Sequence, residues 1–277
     1  MDLRQEPVDH VLDQVEQRLG TRLDRRSVVR KRRTVGAGTD RGTWARVERR
    51  PWARAREQGW GGFAATAALA GVAMPRWYGS TTWQDPDDRA IWHADETSLL
   101  PELPVGAAVT AVDPELPDDW WRSLNASLAE LALQRTARVA TPDTEQITQQ
   151  LVDATIKAAF PGAHETRVDQ WCPAHADLNW ANITGPRAFC MFDWEDWGMA
   201  PRGLDSASLY AASLAVPALA DRVRRERRAD LESRAGMVMQ LFVLAKIVGR
   251  HAGPNDDPRM GLAHREAARL IRALQGD

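Results

Sequence analysis

Apolar residues first recur at helical spacing over residues 8–19, where Val8, Val11, Leu12, Val15 and Leu19 fall on one face, so an amphipathic helix opens the chain. The period then shortens. Residues 27–34 (SVVRKRRT) and 42–49 (GTWARVER) are brief runs rich in β-branched or aromatic residues, separated by the glycine-bearing VGAGTDRG, a pattern that predicts a small antiparallel hairpin. An alanine-rich helix is expected over 53–70, closed by Gly71. Extended segments follow near 75–83 and 89–95, parted by the turn-forming QDPDD.

Four prolines (Pro101, Pro104, Pro114 and Pro117) mark residues 101–119 as an irregular connection. Helical periodicity resumes at 118–137 and 143–160, and an extended run at 168–173 leads into two short strands, 181–184 and 188–193. Further helices are expected at 203–225, 229–250 and 258–275. The outline is α+β: a small β-containing lobe over residues 1–100 and a larger, mainly helical lobe over 101–277, with a strand-and-loop segment carrying the chemistry.

Composition narrows the function classes. The chain has 277 residues, 44% hydrophobic and 27% charged, which suits a soluble globular protein with a substantial core. A net charge of −2 offers no general attraction to nucleic acid or to an anionic membrane. The longest apolar stretches, 61–74 and 236–249, are too short to cross a bilayer, and the N-terminus lacks a signal pattern, so a cytoplasmic protein is expected. Cys172 and Cys190 form neither a disulfide framework nor a metal-ligand spacing. All the basic residues but Lys31, Lys157 and Lys246 are arginines, which reads as compositional drift.

The informative segment is CPAHADLNWANITGPRAFCMFDWEDWGMAPRGLD, residues 172–205. It spaces His175, Asp177 and Asn182 as H-x-D-x-x-x-x-N and places Asp193 directly after the apolar run AFCMF. Phosphoryl transfer to a hydroxyl needs a carboxylate to orient the acceptor and receive its proton, and Asp177 can serve. The triphosphate needs Mg²⁺, a hard cation that takes carboxylate and amide oxygens, and Asn182 and Asp193 can supply them. A strand pair turning at Gly185-Pro186 would bring those two residues to the same end of a hairpin.

HADLNWAN resembles the catalytic loop of the aminoglycoside phosphotransferase and choline kinase-like superfamily, whose fold is similar to that of protein kinases. FDWEDWGMAPRGLD resembles that family's metal-binding segment, and GVAMPRWYG its G-V-P-V-P segment. The resemblance implies a bilobal protein kinase-like fold and an ATP- or GTP-dependent kinase acting on a small-molecule hydroxyl. It assigns Asp177 as catalytic base, Asn182 and Asp193 as Mg²⁺ ligands, His175 as a brace of the loop, and Asp205 as the residue that holds the loop backbone from the next helix. Glu195 becomes a supporting group on the metal side. Ala176 stands where the family usually has glycine, and Asn179 where it often has histidine. The family's lobe lysine is absent from WARVE, where Arg46 takes its place as the candidate for nucleotide phosphates; Lys31 is the other candidate, and Glu57 is the one acidic residue of the 53–70 helix.

Other readings stay open at this level. VGAGTDRG serves equally as a plain hairpin turn or as a phosphate-covering loop. Trp180 and Trp197 can wall a substrate site or pack in a core, and Glu195 and Asp196 can simply face water. Glu226, Asp230, Glu232, Asp256 and Asp257 lie among many arginines, so the C-terminal helices do not offer a strongly acidic surface for a polycationic acceptor. A non-catalytic nucleotide- or ligand-binding module is the rival from another class. A metal-dependent hydrolase built on His175, Asp177 and Asp193 would need a further ligand that the spacing does not offer.

Overall fold

A computed structural model of the chain describes residues 2–52, 58–85, 90–250 and 257–276. Two compact units divide it, one formed by residues 1–69 and 74–101, the other by 70–73 and 102–277.

In the first unit, α1 (Asp9–Leu19) precedes an antiparallel sheet of β1 (Val29–Arg30), β2 (Thr34–Gly38), β3 (Thr43–Pro51), β4 (Trp77–Gln84) and β5 (Ala90–Ser98), in the order β1-β2-β3-β5-β4. Period-two alternation decides the faces. Ala45 and Val47 point with Val35, Ala37, Trp92 and Ala94 into a core closed by Val11, Leu12 and Val15 of α1. Arg46 and Glu48 therefore lie on the opposite face, where β3 meets β5 in the register Arg46↔Asp95 and Glu48↔His93. A short α2 (Gly62–Thr66) carries Phe63, whose ring lies 5.6 Å from the Arg46 guanidinium.

The glycine segment corrects the sequence reading. VGAG is strand rather than connection, and the turn is confined to Thr39–Gly42, closed by Gly42 N donating to Thr39 O at 3.1 Å. Gly36 is needed because a Cβ there would come within 2.6 Å of the Trp44 ring across the ladder. The 53–70 helix is corrected at its end: α2 stops at Thr66, while Gly71 takes φ 74° in the following connection. Residues 53–57, Glu57 among them, lie outside the described residues.

The second unit contains α3 (Asp118–Leu133), α4 (Gln149–Ala159), a two-stranded sheet of β6 (Trp171–Ala174) and β7 (Gly198–Pro201), and then α5 (Leu204–Ser213), α6 (Pro217–Glu226), α7 (Arg228–Leu231), α8 (Arg234–Arg250) and α9 (Met260–Gln275). Helix 118–137 is thus shorter than its periodicity predicts, and residues 134–148 are mostly irregular before Thr148 caps α4 through Leu151 N at 3.1 Å. The expected 203–225 helix is two helices, because Pro217 cannot continue a helix and starts a new one at its first turn. Strands 181–184 and 188–193 shrink to a single antiparallel bridge, Ile183↔Met191. Gly203 (φ 89°) and Gly236 let the start of α5 press against α8, since a Cβ on Gly203 would meet Gly236 Cα at 2.8 Å. That contact sets where the first turn of α5, with Asp205, lies. Among the described residues no helix is long and apolar enough to cross a membrane.

Candidate active site

β6 ends at Ala174, and the chain enters a tight loop whose first residues are held from α5. Asp205 Oδ2 accepts His175 N at 2.7 Å and Oδ1 accepts Ala176 N at 2.8 Å. Burial pushes the Asp205 carboxyl up, while the two backbone N–H groups oppose that rise. His175 is fully buried, and its Nε2 donates to Phe192 O at 2.9 Å, because a carbonyl can only accept. Its ring meets Trp194 edge-on at 4.7 Å. The histidine therefore ties the loop to the segment that carries Asp193.

Asp177 follows and is exposed. Asn182 Nδ2 donates to its Oδ2 at 2.7 Å, and Asn179 Nδ2 to its Oδ1 at 3.1 Å. Asn179 Oδ1 in turn accepts Ala181 N at 2.9 Å, so the side chain standing where the family often has histidine is an amide brace. Crowding by surrounding protein, together with the neighbouring Asp193 carboxylate, raises the Asp177 pKa; the two amide donors pull the other way.

Asn182 and Asp193 are brought together by main-chain bonds. Phe192 N donates to Asn182 O at 3.0 Å and Thr184 N to Cys190 O at 3.0 Å, forming a hairpin of hydrogen bonds without regular strands. Asp193 takes φ 69°, a left-handed conformation that few non-glycine residues adopt. The Asn182 amide nitrogen is committed to Asp177, which leaves Oδ1 as its free donor atom for a cation. Among the described residues no three His, Cys, Asp or Glu side chains are placed to hold a metal. One amide oxygen and one carboxylate are donors of the kind a hard cation such as Mg²⁺ takes, and the set is too sparse for a hydrolase zinc.

The structure decides between several readings that the sequence leaves open. Trp180 and Trp197 are core residues: Trp180 stacks 6.1 Å from Trp120 and donates to Ser213 Oγ at 3.0 Å, and Trp197 is 2% exposed. Asp196 does not simply face water. Its Oδ1 accepts Thr141 Oγ1 at 2.7 Å, and burial, with Glu195, Asp177 and Asp193 adding repulsion, pushes its pKa up to about 6. Glu195 contributes its carbonyl to Arg138 Nη2 at 3.1 Å. Arg138 and Thr141 escaped notice in the sequence, since one arginine among so many carries no local signal. Arg46 lies half-buried on β3, in the first unit, and Lys31 is exposed at the bend between β1 and β2. Glu226, Asp230, Glu232 and Asp257 are each ion-paired, with Arg222, Arg227, Arg228 and Arg259.

No family model matches the sequence, and no curated protein does. Solved structures do match in three dimensions. The aminoglycoside phosphotransferase APH(4)-Ia, in a ternary complex with AMP-PNP and hygromycin B, aligns with a TM-score of 0.62 at 9% identity, covering 96% of this chain and 98% of that one. APH(2″)-IIIa with GDP and kanamycin gives 0.58 at 14% identity, covering 96% and 97%. The amicoumacin kinase hAmiN with AMP-PNP, Ca²⁺ and amicoumacin gives 0.54 at 11% identity, covering 94% and 93%. The chain therefore has the α+β kinase-like fold of the aminoglycoside phosphotransferases over nearly its whole length.

Proposed function

We propose that the chain is a small-molecule kinase that moves the terminal phosphoryl group of ATP or GTP onto a hydroxyl, with Asp177 as base. One observation carries this reading: Asn182 donates to Asp177 from its side-chain amide and accepts Phe192 N at its main-chain carbonyl, tying the base to the residue before Asp193. A carboxylate held by two amide donors has few orientations left, and its exposure lets a hydroxyl approach. The acceptor oxygen attacks the terminal phosphorus, the bond to the nucleoside diphosphate breaks, and the hydroxyl proton passes to Asp177. A raised proton affinity at Asp177 suits that last step.

Asn182 Oδ1 and the Asp193 carboxylate would hold Mg²⁺, which when bound offsets the charge of the phosphate oxygens. His175 and Asp205 keep the loop in register, Glu195 supports the metal side through its backbone, and Arg46 is the group for the nucleotide phosphates. The arginine pairing of the helical carboxylates argues against a polycationic acceptor and for a neutral or weakly charged hydroxyl compound.

The test is nucleotide consumption with Mg²⁺ over a panel of hydroxylated small molecules, aminoglycosides included. Asp177→Ala should lower kcat by about a hundred- to ten-thousandfold while the melting temperature stays near that of the parent. Nucleotide binding without turnover on any acceptor would favour a binding module instead.

A further inference from the structure

The turn that begins with Asp193 concentrates three carboxylates, Asp193, Glu195 and Asp196, within four residues before β7. Repulsion among these charges favours an open turn. One irregular segment prevents this. Arg138 Nη2 donates to Glu195 O at 3.1 Å and Arg138 Nε to Trp197 O at 3.1 Å, with the guanidinium 5.3 Å from the Trp197 ring. Between those two anchors, Asp196 O accepts Thr141 N at 2.9 Å and Asp196 Oδ1 accepts Thr141 Oγ1 at 2.7 Å.

The main chains are locked as well. Met199 N donates to Arg138 O at 2.8 Å and Ala140 N to Met199 O at 3.0 Å. A Cβ on Gly198 would lie 2.6 Å from Ala140 N, so the segments meet without room for a side chain. On the other flank of Asp193, Phe192 is fixed by Asn182 and His175, and Trp194 Nε1 donates to Met191 O at 2.9 Å. Three successive carbonyls after Trp194 are thus tethered to residues 138–141, and Asp193 is pinned from both sides in its left-handed conformation.

We propose that Arg138, assisted by Thr141, is a positioning residue that fixes the Asp193 carboxylate for divalent-cation binding. The proposal rests on the reading of Asp193 as a metal ligand. The planar fork of arginine bridges two carbonyls at once, which a lysine ammonium on a flexible stem does not reproduce. Groups that orient a metal ligand from outside the coordination shell affect metal affinity by about ten- to a hundredfold.

Mn²⁺ binding in the presence of a non-hydrolysable ATP analogue, read by electron paramagnetic resonance, tests it alongside melting temperature. Arg138→Met should weaken Mn²⁺ binding at least about tenfold, and Arg138→Lys and Thr141→Val should weaken it by less. Asp193→Asn is the reference for losing the ligand itself. If Arg138→Met does not fold, the two milder variants carry the comparison. Parental Mn²⁺ affinity in variants that only melt earlier would overturn the positioning role. Failure of the parent protein to bind Mn²⁺, or indifference to Asp193→Asn, would overturn the metal reading beneath it.

Discussion

Asp205 Oδ1 accepts the backbone N–H of Ala176 at 2.8 Å, and the residue so held has φ 69°, a left-handed conformation adopted without glycine. The left-handed region costs a residue with a Cβ about 1–2 kcal/mol, so this bond, with its neighbour to His175 N, offsets local strain at the entrance to the Asp177 loop. Asp205→Ala leaves two buried N–H groups unpaired and should cost about 3 kcal/mol. Ala176→Gly relieves the strain and should stabilise the parent by about 1 kcal/mol but the Asp205→Ala variant by less, where the loop is free to relax, a coupling that denaturant unfolding of the four proteins would measure. Strict additivity would mean that the bond and the strain are independent.

Arg46 and Lys31 separate as candidates for nucleotide phosphates. Arg46 is half-buried on the central strand β3, with its guanidinium over Phe63, whereas Lys31 sits exposed on a bend. A preformed side chain loses less freedom on binding an anion than a solvated one. Arg46→Met should raise the nucleotide KM about tenfold, Arg46→Lys should recover part of it, and Lys31→Met should leave it unchanged. Initial rates at saturating acceptor give the comparison, and a larger effect at Lys31 would reassign the role.

The sequence exposes those parts of the fold whose cause is local. α1 begins and ends within a residue of its apolar stripe, and the extended runs near 75–83 and 89–95 are β4 and β5. The 175–182 loop stands out in the sequence because H-x-D-x-x-x-x-N is a spacing within one loop. What escaped depends on distant partners. The alanine- and arginine-rich tail of the 118–137 pattern has every local reason to stay helical, yet it leaves the helix after Leu133, and Arg138 to Thr141 run beside Asp196 to Met199. Gly36 reads as a turn residue until Trp44 is seen lying across it. Asp196 reads as solvent-facing until Thr141, 55 residues away, is seen to hold it.

Asp196 also gives the protein a pH signature. Burial, with the surrounding carboxylates, raises its pKa from 3.8 to about 6, so the folded protein holds this proton to higher pH than the unfolded chain does. Between those two values the native state binds more protons, and stability therefore falls as pH rises from near 4 to near 6, with the penalty complete above it. For the metal-free protein this group should cost about 1 kcal/mol more at about pH 7.5 than at about pH 5. Asp177 and Asp205 shift in the same direction, so the quantity to measure is the difference between the parent and Asp196→Asn at each pH. Asp196→Asn keeps an acceptor oxygen for Thr141 and has no proton to lose, so its melting temperature should fall less on moving to the higher pH. Parallel pH profiles for the two proteins would mean that the Asp196 carboxylate is ionised at no cost, its charge already balanced within the turn.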